Sequence, residues 1–132
     1  MDNTPLLQYV DCIRLSVPDI ETGLHFYRDK LGHKLLWRMA DAAGLQMKDT
    51  QTEIVIHTES HVPDYAIKVQ NVDDAARQVE EAGGKIIKPP FDIRIGRWAV
   101  VQDPWGNQFS VLDFSKGLLV TDSEGNVVED NR

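Results

Sequence analysis

The chain has 132 residues, of which 42% are hydrophobic and 27% charged. That composition excludes a disordered segment, and the length suits one domain burying roughly two-thirds of its unfolded surface without staples. Against 14 Lys and Arg stand 21 Asp and Glu, a net charge of −7; such a field repels nucleic acid, and no stretch gathers the basic residues into a stripe.

With one cysteine, Cys12, no intrachain disulfide can form. The opening MDNTPLLQYVDC lacks the basic-then-apolar pattern of a secretory signal. No apolar run approaches the ~20 residues that span a bilayer. A cytoplasmic protein without a membrane partner is expected.

Tyr9 to Val17 reads as a strand, with Ile13, Leu15 and Val17 alternating against Cys12, Arg14 and Ser16. Pro18-Asp19 breaks it, and Asp19 is a suitable N-cap for a helix through ETGLHFYRDKL. Leu24, Tyr27 and Leu31 form its apolar stripe, and Gly32 stops it. Strands follow at His33 to Met39, Ala43 to Met47 and Glu53 to Thr58, with a turn at Asp49 to Thr52.

The pattern then restarts. Asp64 to Val69 is a strand, Asn71 a cap, and VDDAARQVEEA a helix with a stripe of Ala75, Ala76, Val79 and Ala82. Gly83-Gly84 stops the helix. Lys85 to Lys88 is a strand halted by Pro89-Pro90. Arg97 to Val101 and Gln108 to Phe114 are strands around the turn DPWGN, whose Asp103 is placed to bond turn amides near Gly106. Leu118 to Thr121 and Asn126 to Glu129 flank DSEG as a hairpin able to cover a sheet edge, followed by a frayed EDNR end.

Laying Cys12 on Asp64 places Val17 on Val69, Asp19 on Asn71 and Gly32 on Gly84 without a gap. The chain is therefore a single α+β domain of two tandem βαβββ modules, residues 9–61 and 62–115, with a tail at 116–132. Side by side, the modules make a curved eight-stranded mixed sheet with helices outside and a cup inside. A small ligand belongs in that cup.

The run DCIRLSVPDIETGLHFYRDKLG, with FYRDKLG within it, and the later DPWGN before an apolar strand resemble the vicinal oxygen chelate superfamily. Its members include glyoxalases, extradiol dioxygenases and bleomycin-resistance binding proteins. The resemblance runs from about Tyr9 to Ser115 and implies paired βαβββ modules, often in a homodimer. Fold alone does not settle activity.

In metal-dependent members, four inward positions on the first and last strands of each module hold a divalent ion. Here the resemblance places Cys12, Val55, Asp64 and Ser110 at those positions. Val55 has no donor, and a neutral Ser hydroxyl is a weak ligand. A shifted set of Cys12, Glu53, His57 and Asp64 is the alternative, since a step of two along a strand keeps the face.

Other residues carry paired readings. Cys12 is either a nucleophile beside Arg14 or a small core cysteine. Arg14 and Lys68 either hold an anionic group in the cup or pair with Asp64 and Glu53. Trp37, Trp98, Trp105 and Phe91 either stack on a flat ligand group or pack, Trp105 in its turn and Trp37 in the sheet. FDIRIG, residues 91–96, is a candidate lid. His33 and His61 read as surface residues and His25 as helical.

The expected function is binding of a small organic ligand, an anion where Arg14 and Lys68 hold it, in a cup formed by Cys12, Arg14, Trp37, Val55, His57, Asp64, Lys68, Trp98 and Ser110, by a homodimer with no metal cofactor. The alternative is a divalent-metal-dependent lyase, isomerase or dioxygenase using the shifted set. A side-chain-filled interaction module is the third.

Overall fold

The computed structural model describes residues 4–59 and 63–129. The expectations for His61, for the module boundary beside it and for the EDNR end lie outside or at the limit of these residues.

Eight strands form one mixed sheet: β1 (Tyr9–Ser16), β2 (Leu35–Arg38), β3 (Ala42–Gln46), β4 (Glu53–His57), β5 (Tyr65–Lys68), β6 (Lys85–Ile93), β7 (Gly96–Gln102) and β8 (Gln108–Leu112). Their spatial order is β2-β3-β4-β1-β5-β8-β7-β6. β1 runs parallel to β4, and β5 runs parallel to β8. The two modules meet along the antiparallel β1–β5 pair. The two-module α+β architecture expected from the repeat is thus present.

Each module covers one sheet face with its helix. In the first, Ile20 and Leu24 of α1 (Ile20–Leu24) pack on Ala43, Leu45, Ile54 and Ile56. In the second, Val72, Ala75 and Ala76 of α2 (Val72–Glu81) pack on Val69, Ala99, Val101 and Val111. Both expected caps are in place. Asp19 accepts from the Thr22 amide at 2.8 Å, and Asn71 accepts from the Asp74 amide at 2.9 Å. No helix among the described residues is long and apolar enough to cross a membrane.

The first helix departs from its expected course. After Leu24 it widens into a π-helical stretch, His25–Lys30, in which the Leu31 amide bonds to the Phe26 carbonyl. The wider turn shifts the phase of the apolar stripe. Leu31, expected within it, is 52% exposed.

Pro89-Pro90 does not end its strand. β6 continues to Ile93, with its register broken between Lys88 and Phe91. Proline is tolerated here because β6 is an edge strand and the broken register spares the ladder both missing donors. The supposed lid is consequently not a free connection. Phe91, Asp92 and Ile93 pair with Trp98, Arg97 and Gly96, leaving a tight hairpin. Trp105 is 83% exposed rather than packed in its turn. Asp103 does bond that turn, accepting from the Trp105 and Asn107 amides at 2.9 Å.

The tail forms the expected hairpin, β9 (Val120–Thr121) with β10 (Val127–Glu129). Asn126 bridges to Arg38, so the hairpin sits on the exposed edge of β2.

One buried carboxylate ties the second module together. Asp113 is 2% exposed and accepts from the amides of Val72 at 2.9 Å, Arg97 at 3.0 Å and Ser115 at 3.1 Å, and from the Ser115 hydroxyl at 2.7 Å. It joins the start of α2, the start of β7 and the exit of β8. Desolvation raises its pKa, but the four donors outweigh that and hold it below the ordinary Asp value.

Two predictions follow from these contacts. Asp113→Ala strands three amides and should cost about 3 kcal/mol, measured by urea unfolding at neutral pH. The depressed pKa stabilises the fold above the unfolded-state value and ceases to do so as pH falls through the folded-state value. The gap between wild type and variant should therefore narrow at acid pH; an undiminished gap contradicts this role. At Gly44, an added Cβ would overlap the Trp37 indole nitrogen and lie 2.7 Å from Glu53 Oε1. Gly44→Ala should displace the indole and destabilise by about 2 kcal/mol, seen as altered tryptophan emission with a lower unfolding midpoint.

Candidate functional site

The sheet face opposite the helices holds an open cavity of about 800 Å³. Strand periodicity explains its lining. Ile13, Leu15, Ile54 and Ile56 point toward α1, so Cys12, Arg14 and Val55 point the other way. Cys12, Val55, Ala66 and Leu112 form a buried floor, flanked by Trp37, Trp98, Ile95 and Phe114. Leu118, Leu119 and Thr121 of the tail complete one wall.

Arg14 is the cation set deepest in this wall. Its side chain is only 11% exposed. The guanidinium carbon lies 5.5 Å from the Trp98 ring centroid. One terminal nitrogen reaches Glu59 Oε2 at 3.5 Å, the long limit of a hydrogen bond. Nε is buried without a partner. Arg14 does not pair with Asp64 side chain to side chain; the Asp64 carbonyl instead accepts the Arg14 amide at 2.7 Å.

A second polar group stands two positions away along β1. The parallel register sets Cys12 opposite Glu53, and Arg14 opposite Val55. Trp37 donates to Glu53 Oε1 at 2.7 Å. Asp11 lines the same region. Burial raises both carboxyl pKa values, with the Trp37 bond working against the rise at Glu53 and the Cys12 thiol against it at Asp11. The Cys12 thiol is pushed up to about 12 by burial and by the Asp11 charge, against the pull of Arg14. At neutral pH it is protonated, which favours the core cysteine over the nucleophile.

Five of the nine expected cup residues line the cavity together: Cys12, Arg14, Trp37, Val55 and Trp98. The other four stand apart from its wall. Lys68 spends its ammonium on Gln8 Oε1 at 3.2 Å and on the Val69 carbonyl at 3.0 Å, above the Phe114 ring. It does not pair with Glu53. Ser110 is fully buried against β5 opposite Ala66. Asp64 is exposed just before β5. His57 is buried at the far end of β4, its Nδ1 unpartnered, and desolvation followed by the Arg14 charge lowers its pKa.

Neither metal set fits this arrangement. The four positions implied by the resemblance supply a protonated thiol, an aliphatic side chain, an exposed carboxylate and a buried hydroxyl. The shifted set fails because Cys12 is protonated and Glu53, tied to Trp37, stands at the opposite end of β4 from His57. Among the described residues, no three His, Cys, Asp or Glu side chains come together as a metal site.

Two lining residues escaped the sequence reading through the same device. β1 carries an extra residue against β5 between Val10 and Cys12, and β2 carries one against β3 between Leu35 and Trp37. Each bulge turns two consecutive side chains to one face, so Asp11 joins Cys12 and Leu36 joins Trp37 in the cavity wall. Strict alternation assigns both to the opposite face.

Comparison with known proteins agrees with this architecture. The family model for the Glyoxalase/Bleomycin resistance protein/Dioxygenase superfamily matches residues 9–111. An uncharacterized protein of Mycolicibacterium smegmatis is 33% identical over 102 residues, covering 74% of this chain and 87% of its own. Methylmalonyl-CoA epimerase from Mycobacterium tuberculosis superposes with a TM-score of 0.70 at 16% identity, over 86% of this chain and 92% of its own. A variant of homoprotocatechuate 2,3-dioxygenase from B. fuscum superposes with a TM-score of 0.62 at 22% identity, over 86% of this chain but 34% of its own. At such identities the two structures share the fold, and the family match adds the lineage: the chain belongs to the glyoxalase, bleomycin-resistance and dioxygenase superfamily, the vicinal oxygen chelate proteins.

Proposed function

We propose that this protein binds a small organic ligand bearing an anionic group, using its cup without the divalent metal of the superfamily's metal-dependent members. The observation that carries this is Arg14. Its guanidinium is mostly buried against Trp98, with Nε unpartnered and only a 3.5 Å contact to Glu59, so most of its donor capacity is unused. A carboxylate presented in the plane of the guanidinium satisfies Nε and one terminal nitrogen together. Glu59 is 47% exposed and holds Arg14 through one long contact, so it can yield to such a group at small cost.

The cavity volume falls within the range of small-molecule sites. Apolar walls supply affinity through burial, and Arg14, the deepest of the lining cations, supplies orientation. Sequestration needs nothing further from the protein. No proton donor or nucleophile is required, which suits a protonated Cys12.

Arg14→Met keeps much of the side-chain volume and removes the charge. Calorimetric titration with benzoate should show binding by wild type and at least a tenfold loss in the variant, with unfolding midpoints within a few degrees. Equal loss of binding and stability would make Arg14 a folding residue instead. Metal analysis of protein prepared without a histidine tag should find less than stoichiometric divalent metal. A tightly held equivalent would favour the metal-dependent lyase, isomerase or dioxygenase reading.

A further inference from the structure

We propose that the tail is a strap across the cup, hinged at Gly117 and opening from its β2 end, and that this opening controls how small molecules enter and leave.

The strap is clipped to both borders of the sheet. β2 and β6 are the outermost strands, and the cup lies between them. After β8 the chain docks on the hairpin that joins β6 to β7. The Lys116 amide donates to the Ile95 carbonyl at 2.9 Å, and its ammonium reaches Asp92 Oδ1 at 2.9 Å and the Ile93 carbonyl at 3.3 Å. The chain then passes the cavity, where Leu118, Leu119 and Thr121 form wall. It ends on β2 at the opposite border. There the Arg38 amide donates to the Gly125 carbonyl at 2.7 Å, and Asn126 bridges to Arg38. One segment thus touches both borders of the sheet and the cavity between them. The family match stops at residue 111, so the strap lies outside it.

The two clips differ in strength. At the first, Asp92 holds Lys116 and Arg97 together, and Arg97 is also held by Asp73, a network rather than a lone pair. At the second, one backbone bond and one isolated bridge join a short two-stranded hairpin to an edge strand, and such a hairpin is marginal by itself. Gly117 lies between the clips with a φ of 94°, a left-handed conformation that glycine adopts freely, and is the natural pivot. Leu118 beside it lines the cavity yet is 65% exposed. Closure on a bound molecule takes that apolar surface out of water, so an occupied cup favours the closed strap.

Asp122 permits a test that leaves the cavity wall untouched. Its carboxylate organises the hairpin turn, accepting from the Glu124 and Asn126 amides at 2.9 Å. Asp122→Ala should loosen the hairpin and free its β2 end. The full chain is used in a Trp105→Phe background, which removes the 83% exposed indole and leaves Trp37 and Trp98 in the cup as reporters. In that parent, hydrogen exchange at the Arg38 amide should already run at least roughly tenfold faster than at the Lys116 amide, through a local opening. Asp122→Ala should accelerate Arg38 by about tenfold more and Lys116 by less than about twofold. Acrylamide quenching of Trp37 and Trp98 should rise about twofold, with the unfolding midpoint within a few degrees. If the Arg38, Lys116 and central-strand amides all accelerate alike, the hairpin is a general stabiliser and the strap is overturned. Faster exchange at Arg38 without greater quenching describes a hairpin that opens without uncovering the cup, and overturns it too, as does an unchanged Arg38 amide. Neither measurement uses a ligand, so absence of benzoate binding leaves the strap standing, and failure of the strap leaves the Arg14 site standing.

Discussion

The β1–β5 seam determines what the cavity contains. It joins the two modules edge to edge, and it carries one residue too many. Asp11 lies in β1 with no partner across the seam, between Val10 opposite Ile67 and Cys12 opposite Ala66. Before the bulge and after it, the alternation of faces is out of step. Ile13 and Leu15 can pack toward α1 while Cys12 and Arg14 face the cup, and Asp11 remains on the cup side as well. On a strand without the bulge, Cys12 and Arg14 would keep the cup face and residue 11 would turn to the other.

Much of the fold follows from local chemistry and was legible for that reason. Caps at Asp19 and Asn71, stops at Gly32 and Gly83, and two alternating strands in matching order recur in both halves. Each of these is decided within a few residues. The failures have a different origin. Pro89-Pro90 reads as a stop locally, and only the position of β6 at the sheet edge makes it harmless. Leu31 falls out of its stripe because one turn widened, a change no residue type announces.

The site divides along the same line. The family resemblance places Cys12 and Val55, and alternation along regular strand adds Arg14. Asp11 and Leu36 were lost to bulges, where period two no longer holds. Lys68 shows a further limit. Alternation puts it on the cup face, but a four-carbon stem can carry its charge away, and Gln8 with the Val69 carbonyl captures it. Strand position settles which face a Cβ takes. It does not settle where a long side chain ends.

A two-fold scaffold here supports a one-sided site. Arg14 pairs with Val55 in the first module, and the equivalent pair in the second is Ala66 with Ser110. The first module therefore contributes the charged anchor and the second contributes floor. Of the three cations that line the cavity, Arg14 alone is set deep, while Lys88 and Arg94 are exposed, so no second desolvated charge opposes it. This placement also gives the cup a direction, with Arg14 toward Trp98 and Glu53 toward Trp37. A symmetric cup would bind a ligand in either sense. An anionic ligand of the kind proposed would take one orientation on this polarised sheet, because only its charged end suits the Arg14 guanidinium.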